Sequence, residues 1–468
     1  MQRFAFLLLA GVPSLLAAQG FGIYEHGSCV MGRGGTAVAA PCADATAVLF
    51  NPAALAGLEG RRLTLGGTFV LAVGGFTDDL LAATTDLKDK IIPIPHAYAS
   101  FAITPKLGVG IGAFAPYGLE TNWPTDFEGR FASYHSRIRE IYIQPTVAYE
   151  VTPWLKLGAG LDVVLGSLGL RQRADLSEQT VPTSLGVPPG TTFAQFGIPD
   201  GTDFADAHLE ADGTTVSGHF GVLVKLGDRA SFGARYLMKA TVDYDGTADF
   251  EQVATNIVTP ADISIGALTL PAGTSIDALL SGGVIPGLNV FATALADGGV
   301  ATTITNPDQF VAGFAFKLRD DFTVLADYHL VRWSRFESIV IDFENALTPT
   351  RTLYASYEDT DGFRFGADWA HSDKLSLRAG YLSHTAAAPP QTVTPLLPEG
   401  HRNEVSFGVG LRLGPTLHAD AAYQYVFQND RRGRVREPAD GSPPTTALNS
   451  GVYEFGAHLF AVTLVFTF

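Results

Sequence analysis

The chain has 468 residues, of which 46% are hydrophobic, 11% aromatic and only 17% charged, with 51 Gly, 31 Phe and 15 Tyr. A water-soluble protein of this length usually carries nearer a quarter charged residues, so the composition points to sheet in a non-aqueous solvent. The net charge of −16, from 31 Lys+Arg against 47 Asp+Glu, excludes a basic footprint for nucleic acid.

The N-terminus reads as a secretory signal over 1–18: Arg3 gives the positive start, 4–16 the apolar run, and Ala17-Ala18 the small residues for cleavage. No other segment offers 18 uninterrupted apolar residues, so transmembrane helices are excluded. The two cysteines, Cys29 and Cys42, follow closely. In an exported protein such a pair is expected to form a disulfide, and no second Cys/His cluster is present to complete a metal site. Next comes "ATAVLFNPAALAGLEG" (45–60). Asn51 suits an N-cap, Pro52 the first helical position and Gly57 the end, which predicts a short helix over 52–56. A helix this short is unstable alone and must be held by its surroundings.

From Arg61 onward the pattern has period two. In "NEVSFGVGLRL", Val405, Phe407, Val409, Leu411 and Leu413 share one face, opposite Glu404, Ser406, Gly408, Gly410 and Arg412. In "GFRFGADWA", Phe363, Phe365, Ala367 and Trp369 oppose Arg364, Gly366 and Asp368. The apolar faces are too many, and too often edged by Tyr and Trp, for a soluble sandwich, so they are expected to face lipid. Tight turns at "ITPKL", "VTPWL", "LGDRA", "LRDDF", "HSDKL" and "LGPTL" alternate with long links at 77–92, 119–136, 174–214, 247–305, 337–360, 384–402 and 429–452. That alternation predicts about fourteen antiparallel strands with short periplasmic turns and long extracellular loops, an outer-membrane β-barrel. The last ten residues, "LFAVTLVFTF", alternate cleanly and end on Phe468. This resembles the terminal signal read by the barrel-assembly machinery. The charges Arg364, Asp368, Arg378, Glu404, Arg412 and Asp420 are expected to face the lumen.

With these elements in order, the chain resembles the FadL-type outer-membrane transporters of long-chain fatty acids and aromatic hydrocarbons. "QGFGIYEHGSCVMGRGGTAVAAPCADATAVLFNPA" follows the family's spacing, with Gly32-Arg33 at its Gly-Arg pair and Asn51-Pro52-Ala53 at its Asn-Pro-Ala. "APYGLETNW" (115–123) resembles the end of the family's third strand, and "VRWSRF" the top of the ninth. The resemblance implies a helical hatch over 19–60 inside a barrel over 61–468. It also implies Phe21 as a movable stopper, and a lateral gap at Pro116, Tyr117 and Gly118. The candidate ligand path is Arg171, Arg173, Leu288, Phe291, Trp333 and Phe336. The family's hatch is not generally defined by cysteines, so a Cys29–Cys42 bridge is a local addition. No basic residue immediately follows "WSRF", which opens the way to a neutral ligand.

The expected function is uptake of hydrophobic small molecules, fatty acids or hydrocarbons, by capture at extracellular loops, binding in an inner pocket and lateral release through the wall. Exposed apolar loops usually mark binding, and 174–214 and 247–305 are the apolar ones. The same reading expects a monomer with no cofactor and no metal, surrounded by outer-membrane lipid and lipopolysaccharide. Three rival readings compete with this one. A secretion or surface-assembly barrel would use the same loops to hold a protein. A lipid hydrolase would need a Ser/His/acid set, which no spacing supports. An open porin would not carry the N-terminal segment.

Overall fold

The structure, a computed structural model, describes residues 20–88, 90–181, 183, 186–265, 268–285, 289–438 and 441–468. The expected signal peptide and Leu288 lie outside the described residues.

Fourteen antiparallel strands close into a barrel. They are β1 (Arg61–Asp78), β2 (Ile91–Ala102), β3 (Leu107–Asn122), β4 (His135–Thr152), β5 (Leu155–Asp175) and β6 (Asp203–Lys225). Two strands are broken: β7 (Ala230–Leu237 and Ala240–Gln252) and β8 (Gly298–Asn306 and Gln309–Arg319). Then come β9 (Phe322–Val331), β10 (Thr360–Ala370), β11 (Leu375–His384), β12 (Arg402–Arg412), β13 (Leu417–Gln428) and β14 (Gly451–Thr467). Each strand pairs with the next, and β14 pairs with β1 from Arg62↔Thr467 to Asp78↔Gly451, which closes the cylinder and leaves no sheet edge at the seam.

The exposure pattern is inverted relative to a soluble protein. Phe363 and Phe365 are 53% and 52% exposed while Arg364 between them is 2% exposed. Leu161, Phe407, Phe460 and Val462 repeat the outward apolar face, and Asp162, Ser406 and Thr463 the inward polar one. Outward side chains of this kind are stable only against hydrocarbon. Arg378, Glu404 and Asp420 are buried in the lumen, where Arg378 bridges Asp368 and Asp420. Arg412 differs from expectation. It is exposed at the turn end of β12, where no lumen packing covers it.

The segment ahead of β1 carries α1 (Ser28–Met31), α2 (Ala47–Phe50) and a 3-10 turn, Pro52–Gly57. The expected helix over 52–56 is therefore 3-10 and one residue longer, and α2 precedes it. The break comes from Asn51, whose extended backbone (φ −162°) frees its side chain. The carboxamide Oδ1 accepts from the Ala53 amide (3.1 Å), while Nδ2 donates to the carbonyls of Val38 (2.6 Å) and Val222 (2.9 Å). Wall glycines admit this backbone: a Cβ at Gly158 would lie 2.4 Å from the Ala53 nitrogen, and one at Gly408 2.9 Å from Gly32. Val30, Val48, Leu49 and Leu55 are buried with the inward wall residues Tyr98 and Tyr142 in one apolar cluster.

An apolar cavity with a paired strand in its wall

β3 is the irregular strand. Its ladder with β2 runs only from Ala97↔Ala113 to Ala102↔Gly108. Above this the stretch 91–96 of β2 is unpaired on that side. Pro93 and Pro95 lie within it and, being two apart, remove two donors from the same edge, as an unpaired edge allows. On its other side β3 carries one extra residue between Phe114 and Tyr117 relative to β4, a β-bulge at Ala115-Pro116. The bulge reverses which side chains point inward, so Phe114 and Tyr117 are both buried.

The N-terminal chain takes the edge of β3 that β2 leaves. Ile23 N donates to Pro116 O (2.8 Å), Gly118 N donates to Phe21 O (3.0 Å), and Gly22 bridges Tyr117. Phe21 is thereby fixed among aromatic rings, with centroids 4.6 Å from Trp333, 5.3 Å from Phe336 and 6.1 Å from Tyr117. The preceding Gly20 N donates to the Glu399 carboxylate (2.6 Å), which also accepts from Ala387 and Ala388. Burial raises the Glu399 pKa, and these backbone donors and Arg402 oppose the rise.

Phe21 and Phe336 form part of the wall of a cavity of about 100 Å³ in the barrel. Its lining is aliphatic from the strands (Leu119, Ile138, Leu168, Ile304) and mixed from the loops (Leu397, Tyr357, Arg434, Glu437). Both cations in the lining face a carboxylate: Arg434 meets Glu437 at 2.8 Å, and Arg137 lies 3.9 Å from Glu210. A mainly apolar volume whose two cations each face a carboxylate suits a hydrophobic ligand.

The remaining candidates are distributed as follows. Trp333 is fully buried against Phe21. Arg173 is paired with Asp206 (3.5 Å), Arg171 is exposed, and neither lines the cavity. Phe291 packs near Phe204 in a loop cluster. In that cluster Leu176, Val181, Phe193 and Ile198 from one long loop bury Leu270, Ile276, Leu279 and Leu280 from the other. Much of the loops' apolar surface is thus a lid packed on itself rather than an open patch. Arg33 donates to Ala40 O (2.6 Å) and lies 3.5 Å from Asp368. Cys29 and Cys42 are disulfide-bonded, with Cα atoms 6.4 Å apart.

Several anchors escaped the sequence reading. The Asp327 carboxylate accepts from the Ala37 and Val38 amides (2.9 and 3.2 Å). Arg235 donates to Leu49 O (3.0 Å) and to Gln309, which in turn donates to the Tyr117 hydroxyl (2.8 Å). Inward-facing polar residues among strand alternation were the only trace of these in the sequence.

A lipid-facing barrel around an apolar cavity defines an outer-membrane protein that handles hydrophobic molecules. Comparison with known proteins agrees. The sequence model of the family described as "Outer membrane protein transport protein (OMPP1/FadL/TodX)" matches residues 9–468, and the chain belongs to that family of the Gram-negative outer membrane. It is 22% identical to outer membrane protein P1 of Haemophilus influenzae, covering 91% of this chain and 90% of that one. It is 21% identical to a long-chain fatty acid transport protein of Escherichia coli, covering 89% and 90%. Among solved structures, a Pseudomonas aeruginosa FadL homologue superposes with a TM-score of 0.79 at 18% identity, covering 96% of this chain and 100% of that one. The Pseudomonas putida toluene transporter TodX superposes with a TM-score of 0.67 at 19% identity, covering 96% and 100%.

Proposed function

We propose that this protein imports neutral apolar small molecules, with residues 19–60 acting as a hatch. Molecules leave water at the extracellular loops, enter the cavity and exit sideways into the membrane between β2 and β3. A molecule costly to hydrate gains nothing from a wet pore, whereas an apolar path returns roughly 25 cal/mol per Å² removed from water. One observation carries the reading: the strand Phe21–Ile23 both walls the cavity and occupies the free edge of β3. Withdrawal of that one strand therefore opens the cavity and the wall together. Relatives' names include both fatty-acid and toluene transporters. The matched charges of this cavity favour the neutral class.

Deleting Pro116 tests lateral exit. It removes the extra residue of the bulge while leaving Phe114 and Tyr117 inward, and is combined with Pro93→Val and Pro95→Val, which restore the two missing β2 donors, so β3 can pair regularly with β2. Uptake of labelled toluene by cells carrying the inserted variant is expected to fall at least about tenfold. Undiminished uptake by a correctly inserted variant would sink lateral release.

A further inference from the structure

Glu437 sits in the cavity lining although nothing in import of an apolar molecule calls for an acid there. Arg434 beside it is 1% exposed at its side chain and Glu437 18%. The Arg434 Nη2 donates to both Glu437 oxygens (3.1 and 2.8 Å), and Nη1 donates to Gln391 O. Its backbone is fixed as well, since Arg434 N donates to Val393 O (3.0 Å) and Tyr453 donates to Arg434 O (3.0 Å). Glu437 also acts electrostatically on Arg351, whose guanidinium donates to Gln172. Within the lining this one carboxylate therefore balances the buried Arg434 guanidinium, while the second lining guanidinium, Arg137, lies 3.9 Å from Glu210 outside it.

We infer that Glu437 determines ligand class by excluding carboxylates, an inference that rests on the cavity being the ligand site. A carboxylate entering this space must shed water and then meet the Glu437 charge, with both Nη groups of the nearest guanidinium already committed to Gln391 and Glu437. A neutral molecule of the same length pays neither cost. Removing the Glu437 charge leaves Arg434 buried without its counter-ion, a state that an incoming anion relieves. The same pocket then becomes a carboxylate site.

The test is displacement of the neutral fluorophore N-phenyl-1-naphthylamine from the purified full-length barrel in amphipol at pH 8, by decanol or decanoate. Wild type is expected to prefer decanol by at least about tenfold. Glu437→Gln is expected to shift the decanoate-to-decanol affinity ratio about tenfold toward decanoate, in a salt-sensitive manner. Arg434→Met, which strands the acid, is expected to widen the preference for decanol, and the double variant to keep the wild-type order. Equal binding of both ligands by wild type, or an unmoved ratio in folded Glu437→Gln, would overturn the inference. If decanol itself fails to displace the fluorophore, the cavity is not the ligand site, and the function proposed above falls with the inference.

Discussion

Replacing Phe21 by Ala removes the ring that fixes the N-terminal strand in the cavity wall. The ring is 3% exposed and makes three edge-on aromatic contacts with Trp333, Phe336 and Tyr117. Truncation of such a buried Phe costs about 3–5 kcal/mol, from lost transfer energy plus the cavity left behind. Two hydrogen bonds to β3 and one to Glu399 remain, each worth about 1 kcal/mol net. The barrel itself is held by strand ladders that the substitution does not touch, so the loss is expected to fall on local docking. A shift of about 4 kcal/mol raises the opening constant of this strand about a thousandfold. Hydrogen exchange at the Ile23 and Gly118 amides reads that constant directly, because both donate across the pairing. The heat-modifiable mobility of the intact barrel is the control for global stability. Unchanged exchange at both amides, with the barrel folded, would refute the claim that Phe21 holds the strand down.

Three further outcomes are expected. Asn51→Ala strands the carbonyls of Val38 and Val222 and uncaps the 3-10 turn, and should weaken hatch docking by about 2–4 kcal/mol, seen as faster proteolysis ahead of Arg61. Hatch docking should also weaken on acidification. Burial lowers the His26 pKa from 6.5 to about 4, opposed by its hydrogen bond to Ala115 O, and the ring also faces His96 and Phe114. The undocked imidazole binds the proton more readily, so this contribution is complete above pH 6.5 and is lost as pH falls toward 4, by up to about 3 kcal/mol. Exchange of hatch amides at pH 7.5 and 4.5 checks it, with His26→Gln expected to flatten the dependence. Gly158→Val should block seating of the 3-10 turn, because the new side chain occupies the place of the Ala53 amide. A hatch left protease-sensitive in an otherwise folded barrel is the expected result.

The alternation around Phe363-Arg364-Phe365 and the contrast of tight turns with long links were enough to read strand number, lipid-facing sides and direction. Both are local properties, since a strand shows its two faces in consecutive residues and a turn declares itself within four. Asn51-Pro52 likewise announced a helix start from its own chemistry. The short β2–β3 ladder was not legible, because neither Pro93 and Pro95 nor Pro116 alone says which edge they leave free. Nor were the Asp327 and Arg235 anchors, whose partners lie 74 to 290 residues away and are chosen only when the wall curves around the N-terminal segment. The two long apolar loops read as open surface, yet each buries the other, and one-dimensional hydropathy cannot show which apolar faces meet. The cavity is likewise a tertiary product. Leu168, Ile304, Phe336 and Glu437 are ordinary residues in sequence, and closure of the barrel brings them around one space beside Phe21.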